Sequence, residues 1–321
     1  MRFSFTEDQR LLAEAVREVL GKSCPPESVR AAGDGSARPG PAWRALADIG
    51  LLGAHVAEQH GGLGLTPLDT VLAYEETGWS AVPGPLVETA VVGPLSVPSG
   101  RLASIADGTL VVSARPADTP YLPDADLADV IVAGSTAVPK EDVTLTAHGS
   151  VDATRRLFTD GLTATADAPA AFDRAAVATA AQLLGLGRRL RDETVGYAGQ
   201  RRQFGTVIGS FQAVKHQLAD VAIGLEFAAP LVHRAAYSLA HEAPSASRDV
   251  SAAKNAAGRA AHRAARTALQ VHGAIGYTGE LDLQLWLNRV FALRAAWGGD
   301  GFHRARLRAD LLERTPLPRL P

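Results

Sequence analysis

Cysteine is nearly missing from this chain of 321 residues. Cys24 stands alone, which excludes an internal disulfide and any multi-cysteine metal site. Lysine is scarce as well: Lys22, Lys140, Lys215 and Lys254 are the only ones, so arginine supplies almost all of the 32 basic side chains. We read that bias as coding preference rather than as a phosphate-binding surface. Charge of one sign is not in excess, and a net −2 exerts no general pull on nucleic acid or membrane. Long apolar runs are absent, none approaching the ~18 residues of a membrane span. The opening MRFSFTEDQRLL turns polar at Thr6, too early for the apolar core of a signal peptide. We therefore expect a cytoplasmic protein. The 46% hydrophobic and 21% charged fractions are those of an ordinary globular chain, long enough for two or three small domains or one large one.

Three blocks follow one another. The first, residues 1–104, reads as mainly helical. Thr6-Glu-Asp-Gln9 has the form of a capping box, and Leu11, Leu12, Ala15, Val16, Val19 and Leu20 recur at helical spacing after it. Trp43 to Leu52 reads as a second helix. His60-Gly-Gly-Leu-Gly64 reads as a loop. Thr66 to Trp79 reads as a third helix, with Thr66 as cap and Pro67 at its first position. In the second block, 105–166, Thr109–Ser113, Asp129–Ala133 and Asp142–Ala147 are short β-branched runs punctuated by Gly, Pro, Asp and Ser, the pattern of a small β domain. A linker rich in Ala, Pro and Thr (Ala164 to Ala171) leads into the third block, 167–321. There Arg174–Gln200, Phe211–His241, Ser247–His272 and Leu281–Ala296 read as the helices of an antiparallel four-helix bundle. The expected fold is mainly α: an N-terminal helical domain, a central small β domain and a C-terminal four-helix bundle.

That order resembles the acyl-CoA dehydrogenases over essentially the whole chain. FTEDQRLL, LADIGLLG, EQHGGLGLTPLD and YEETG (Tyr74–Gly78) are each weak, but they occur in the family's order and spacing. RRQFG, Arg201 to Gly205, is more specific. The resemblance implies that Arg201 contacts the pyrophosphate of FAD and that Phe204 packs on the cofactor. A planar guanidinium suits phosphate because it grips two oxygens and stays charged. Gln212 matches a glutamine near the same cofactor. In QVHGAIGYTGELDL, Gln270 and the glycine pair at 273 and 274 match the segment lying against the adenosine half of FAD, but the second glycine is here Ala274. In the family these groups reach across a subunit interface to a neighbour's FAD.

Other segments are missing. The family reaction removes a proton from Cα of an acyl-CoA while hydride leaves Cβ for the flavin, and the proton step needs a carboxylate base. Ungapped comparison puts Trp297 at the usual glutamate, followed by Gly298 and Gly299, and puts Ala175 at the alternative base position. Asp173 matches an aspartate near the CoA adenine, which makes it the one expected substrate contact. The CoA-binding arginine three residues on is Ala176, and Arg174 lies on a different helical face. No flavin-binding loop of the family type is found in Val111–Asp126. Glu280 is the one alternative base. Glu193, Glu226, His216 and His272 read as structural, no spacing suggests a metal, and Gly61–Gly64 lacks the strand–loop–helix context of a phosphate loop.

Three functions fit this pattern. The first is the short, base-lacking subunit of a heteromeric acyl-CoA dehydrogenase of the steroid side-chain type, paired with a full-length subunit whose FAD it helps to hold. The second is an active homo-oligomer with a relocated base such as Glu280. The third is a non-catalytic acyl-CoA-binding scaffold, which the loss of the CoA arginine disfavours.

Overall fold

The computed structural model describes residues 4–33, 40–116, 119–163 and 168–314. The first helix, α1 (Glu7–Ser23), starts where the sequence predicts, with the reciprocal Thr6–Gln9 capping box formed. Gln9 also donates to Asp69, whose carboxylate in turn accepts the Thr66 amide, so the starts of α1 and α4 (Pro67–Trp79) are tied together. Between them lie α2 (Pro26–Gly33) and α3 (Pro41–Asp48). The latter ends four residues before the expected Leu52, because Gly50 turns the chain at φ 79°. A widened π-helical turn, Glu88–Val92, leads into α5 (Gly93–Ser96) and α6 (Leu102–Ala106).

The β region holds two three-stranded sheets. In the first, β1 (Val112–Arg115) pairs parallel with β3 (Val130–Ala133), which pairs antiparallel with β4 (Thr136–Pro139). In the second, β6 (Leu157–Thr159) lies between β2 (Tyr121–Pro123) and β5 (Thr146–His148). The predicted strand at Thr109–Ser113 begins late because the Thr109 amide and hydroxyl both bond to Asp107, folding those residues into a turn. The predicted run at 142–147 is strand only from Thr146, after a short 3-10 turn at Lys140–Asp142. Alternation along β3 serves two cores. Val130 and Val132 join the main cluster, while Ile131 joins a small one with Leu122, Ala125, Ala128 and Phe158.

Helix α7 (Pro169–Gln200) begins five residues before the predicted Arg174, with Pro169 in its first turn, so the end of the expected linker is helical. Residues 164–167 of that linker lie outside the described residues. A hairpin of β7 (Arg202–Gln203) and β8 (Thr206–Val207) connects α7 to α8 (Gln212–Ala240). Helices α9 (Ala246–His272), α10 (Leu283–Ala295) and α11 (Asp300–Arg314) complete the block. Backbones of α4 and α7 touch through glycine: a Cβ on Gly78 would meet the Gln182 carbonyl, and one on Gly185 the Glu75 carbonyl, at 2.0 and 1.8 Å. Among the described residues no helix is long and apolar enough to cross a membrane, and no cluster of side chains could hold a metal.

Buried Arg289 on α10 joins all three blocks. Its guanidinium pairs with Asp152 and donates to Val82 O and Thr154 Oγ1, both at 2.6 Å.

Candidate functional site

Residues 200–212 and 270–277, far apart in sequence, meet at one end of the bundle. Helix α7 stops at Gln200 and α9 at His272, and the two ends are joined by Tyr197 stacked on His272 with ring centroids 4.2 Å apart. His272 Nδ1–H donates to Ala268 O at 2.7 Å, and burial holds its pKa below the ordinary imidazole value. Beyond α7 the hairpin turns on Phe204 and Gly205, both at positive φ (51° and 81°), the twist that a two-residue hairpin loop requires. Glycine adopts it freely; phenylalanine does so at a cost. The turn throws the Phe204 ring into solvent, 92% exposed, with Phe211 as its ring neighbour at 6.2 Å. Neither Arg201 nor Arg202 pairs with a carboxylate among the described residues.

No side chain caps α8. Its first amides lack partners within the helix and present the positive end of a 29-residue dipole beside Gln212. At the end of α9, Gly273 adopts φ 65°, ψ −141°, a conformation reserved for glycine, and open space surrounds the place of its missing Cβ. Gln270, Gly273 and Ala274 are exposed, so the Ala274 methyl meets no crowding in this chain. The end of the bundle thus presents an uncapped helix start, guanidinium groups with no carboxylate partner among the described residues, an exposed aromatic ring and an approachable backbone. That donor set fits the phosphates and adenosine of a dinucleotide.

The position of the expected base is different in kind. After α10 the chain turns at Trp297 (φ 52°) and Gly298 (φ 89°). Buried Lys254 donates to the carbonyls of Leu293 (3.1 Å), Arg294 (3.2 Å) and Gly298 (3.1 Å), closing the end of α10, and burial lowers its pKa to about 7. His303 Nε2 donates to Trp297 O at 2.9 Å, and Ser251 Oγ donates to its Nδ1 at 3.2 Å. This neutral tautomer is consistent with a pKa pushed down to about 4 by burial and by Lys254. The Trp297 ring is buried edge-on to Phe172, and its Nε1–H reaches Glu88 Oε1 at 3.2 Å. Glu88, in the π-helical turn, also pairs with Arg155 at 3.0 Å. Burial raises its pKa against the opposing charge of Arg155.

Ala175 and Ala176 are fully buried. Asp173 is held by the fork of Arg306 on α11 (2.7 and 2.9 Å), and that guanidinium lies 5.6 Å over Phe172. The expected CoA contact is therefore engaged within the chain. Arg174 turns instead toward α4, where it lines, with His55, Thr70 and Tyr74, a cavity of about 10 Å³, space for one water. A cleft of about 300 Å³ between α1, α4 and α7 is lined by charges that already pair, Arg17 with Glu76 and Arg188 with Glu75. Glu280 is exposed before α10, at the opposite end from Trp297 of a helix about 20 Å long. Val111–Asp126 contributes β1 and β2, and the buried Arg115–Asp160 pair at 2.8 Å anchors the end of β1; Ala117 and Asp118 of that stretch lie outside the described residues.

Glu88, Lys254 and Arg306 were not legible as parts of these sites. The one available signal was Lys254, a rare lysine inside an alanine-rich helix.

Two family models match. One is described as acyl-CoA dehydrogenase, N-terminal domain, over residues 6–97, and the other as acyl-CoA dehydrogenase, C-terminal domain, over residues 161–312. Acyl-CoA dehydrogenase IpdE2 of Mycolicibacterium smegmatis is 31% identical over 316 residues, covering 95% of this chain and 99% of that protein. Among solved structures, the ChsE4-ChsE5 complex from Mycobacterium tuberculosis is similar, with TM-score 0.84 and 24% identity over 98% of this chain and all of the matched one. The Tcur3481-Tcur3483 steroid ACAD is also similar, with TM-score 0.82 and 22% identity over 96% and 98%.

Proposed function

The chain belongs to the acyl-CoA dehydrogenase family, and from that premise we propose that it serves as the base-lacking subunit of a heteromeric, FAD-dependent acyl-CoA dehydrogenase. The observation that carries this reading is the contrast between the two sites. Groups that suit the phosphate and adenosine end of FAD stand open on the surface, whereas the position of the base is filled by the buried Trp297 ring, packed against Phe172 and bonded to Glu88. Two similar solved structures, ChsE4-ChsE5 and Tcur3481-Tcur3483, are named as pairs of components, and one of them is named a steroid ACAD. These names favour a full-length partner subunit and a steroid-derived acyl-CoA as substrate class.

In this reading FAD, when bound, accepts the hydride that leaves Cβ. The groups of this chain hold the far end of that cofactor. Arg201 grips a phosphate through two N–H groups, the first amides of α8 add their dipole, Gln212 and Gln270 supply amide hydrogen bonds, and the backbone at Gly273 and Ala274 lies against the adenosine. Phe204 covers the cofactor's apolar edge and loses its exposure on assembly. Proton abstraction belongs to the partner's carboxylate.

Arg201→Ala in the co-expressed assembly tests this reading. Loss of a charge-assisted fork is worth about 1.5–3 kcal/mol, so FAD should bind roughly 10- to 150-fold more weakly, as read by flavin retained through gel filtration. Arg201→Lys should rescue only part, because the ammonium keeps the charge without the fork. Full flavin retention in Arg201→Ala would refute the assignment.

A further inference from the structure

Three segments of the cofactor end rest on the last turn of α7. The Arg201 amide donates to Tyr197 O at 2.9 Å, and the Ile208 amide closes the hairpin onto Arg201 O at 2.8 Å, so Arg201 is tied to Tyr197 through the backbone. The 3-10 turn Ile208–Ser210, which leads into α8, lies directly on the same helix: a Cβ on Gly209 would stand 2.9 Å from Ala198 O. Only glycine permits that approach. The third segment, 273–277, folds back on His272. A Cβ on Gly276 would stand 3.1 Å from His272 Cβ and 3.3 Å from Leu269 Cδ1. His272 is in turn stacked on the Tyr197 ring at an interplanar angle of 26°, and its bond to Ala268 O fixes the imidazole against its own helix. Tyr197 therefore reaches the phosphate side of the site through its carbonyl and the adenosine side through its ring.

We propose that Tyr197 is a positioning residue whose stack on His272 sets the spacing between Arg201 and the backbone at Gly273 and Ala274. The inference rests on the function proposed above. FAD joins its pyrophosphate to its adenosine covalently, so both subsites hold one ligand, and the second contact adds affinity only where it lies within reach of the first. Tyr197 acts through the segments it holds rather than by contact with the cofactor. A ring with two χ angles is a stiffer spacer than an aliphatic side chain, and a stacked pair contributes more than the area it covers.

The test is the affinity of the co-expressed assembly for FAD, titrated by flavin fluorescence. Tyr197→Leu keeps an apolar side chain on α7 but loses the ring, so FAD should bind about three- to tenfold more weakly with unchanged far-UV circular dichroism. Tyr197→Phe keeps the stack and should bind FAD as the wild type does. His272→Leu removes the stack from the other side and should reproduce the loss. Added to Arg201→Ala, Tyr197→Leu should cost less than about twofold more, because spacing matters only while both subsites grip. In the chain alone, free of flavin, the His272 ring protons should resonate upfield, shielded by Tyr197, and return to their ordinary position in Tyr197→Leu. Unshifted His272 protons in the wild type, a Tyr197→Leu affinity within about twofold of wild type, a Tyr197→Phe variant as weak as Tyr197→Leu, or full additivity with Arg201→Ala would each overturn the proposal. Arg201→Ala separates the two failures. Where it weakens FAD binding and Tyr197→Leu does not, the positioning role falls and the functional reading stands; where Arg201→Ala itself holds FAD tightly, the functional reading falls.

Discussion

Arg289→Leu is expected to destabilise the chain by about 3–5 kcal/mol, the cost of leaving a buried charge without its partner. Arg289 and Asp152 are 4% and 2% exposed, and the same guanidinium satisfies Val82 O and Thr154 Oγ1. Leucine fills part of the volume but abandons an ionised carboxylate in the interface of the three blocks. The pH dependence should carry a signature. In the native chain, burial raises the Asp152 pKa, but the charge of Arg289 and hydrogen bonds from Arg289 and Thr154 outweigh it and hold the pKa below the ordinary value. A depressed carboxyl contributes stability that is present above its unfolded pKa and is lost as pH falls through the folded one, so the wild-type loss comes below about pH 4. Without Arg289 the sign reverses. Burial, the largest influence on the carboxyl, is then opposed only by the Thr154 hydrogen bonds, and the variant should recover part of its deficit as pH is lowered from neutrality and Asp152 takes up a proton. Urea unfolding of both proteins at neutral and mildly acidic pH measures both effects. A deficit under about 1 kcal/mol would show that the network is dispensable.

Trp297→Glu, which places a carboxylate at the position of the family base, is expected to yield no dehydrogenase. The indole fills space against Phe172 and bonds to Glu88, so its removal leaves a cavity and costs about 3–5 kcal/mol. The new carboxyl would lie beside Glu88, a like charge that disfavours ionisation of both. Lys254 and His303 would still hold the loop closed. The variant chain alone should show no acyl-CoA oxidation with an artificial electron acceptor, together with a lowered unfolding midpoint. Turnover above the buffer blank would mean that the site is intact except for its base.

Much of the architecture was legible because its signals are local. The Thr6–Gln9 box, Pro67 behind Thr66 and the heavy alanine content of α7 and α9 announce helices without reference to the rest of the fold. The flavin end was legible through Arg201, Phe204 and Gln270 by resemblance. That these residues meet at one end of the bundle follows only from the antiparallel course of α7, α8 and α9. What could not be read is what depends on long-range pairing. Strands β2, β4 and β6 are three or four residues long and take their form from their neighbours. The Glu88 turn looks like ordinary helix in sequence, and its meaning comes from Trp297, more than two hundred residues away. Asp173 looked open to CoA because its partner, Arg306, lies on a helix whose pairing no sequence pattern indicates.

The most direct measurement is the visible flavin absorbance of this chain purified alone and purified with a base-bearing acyl-CoA dehydrogenase subunit. The account predicts a colourless, inactive chain alone and a yellow, active assembly holding one FAD for each pair of unlike subunits. A yellow chain, free of any partner, that carries one FAD per copy and oxidises acyl-CoA would contradict it.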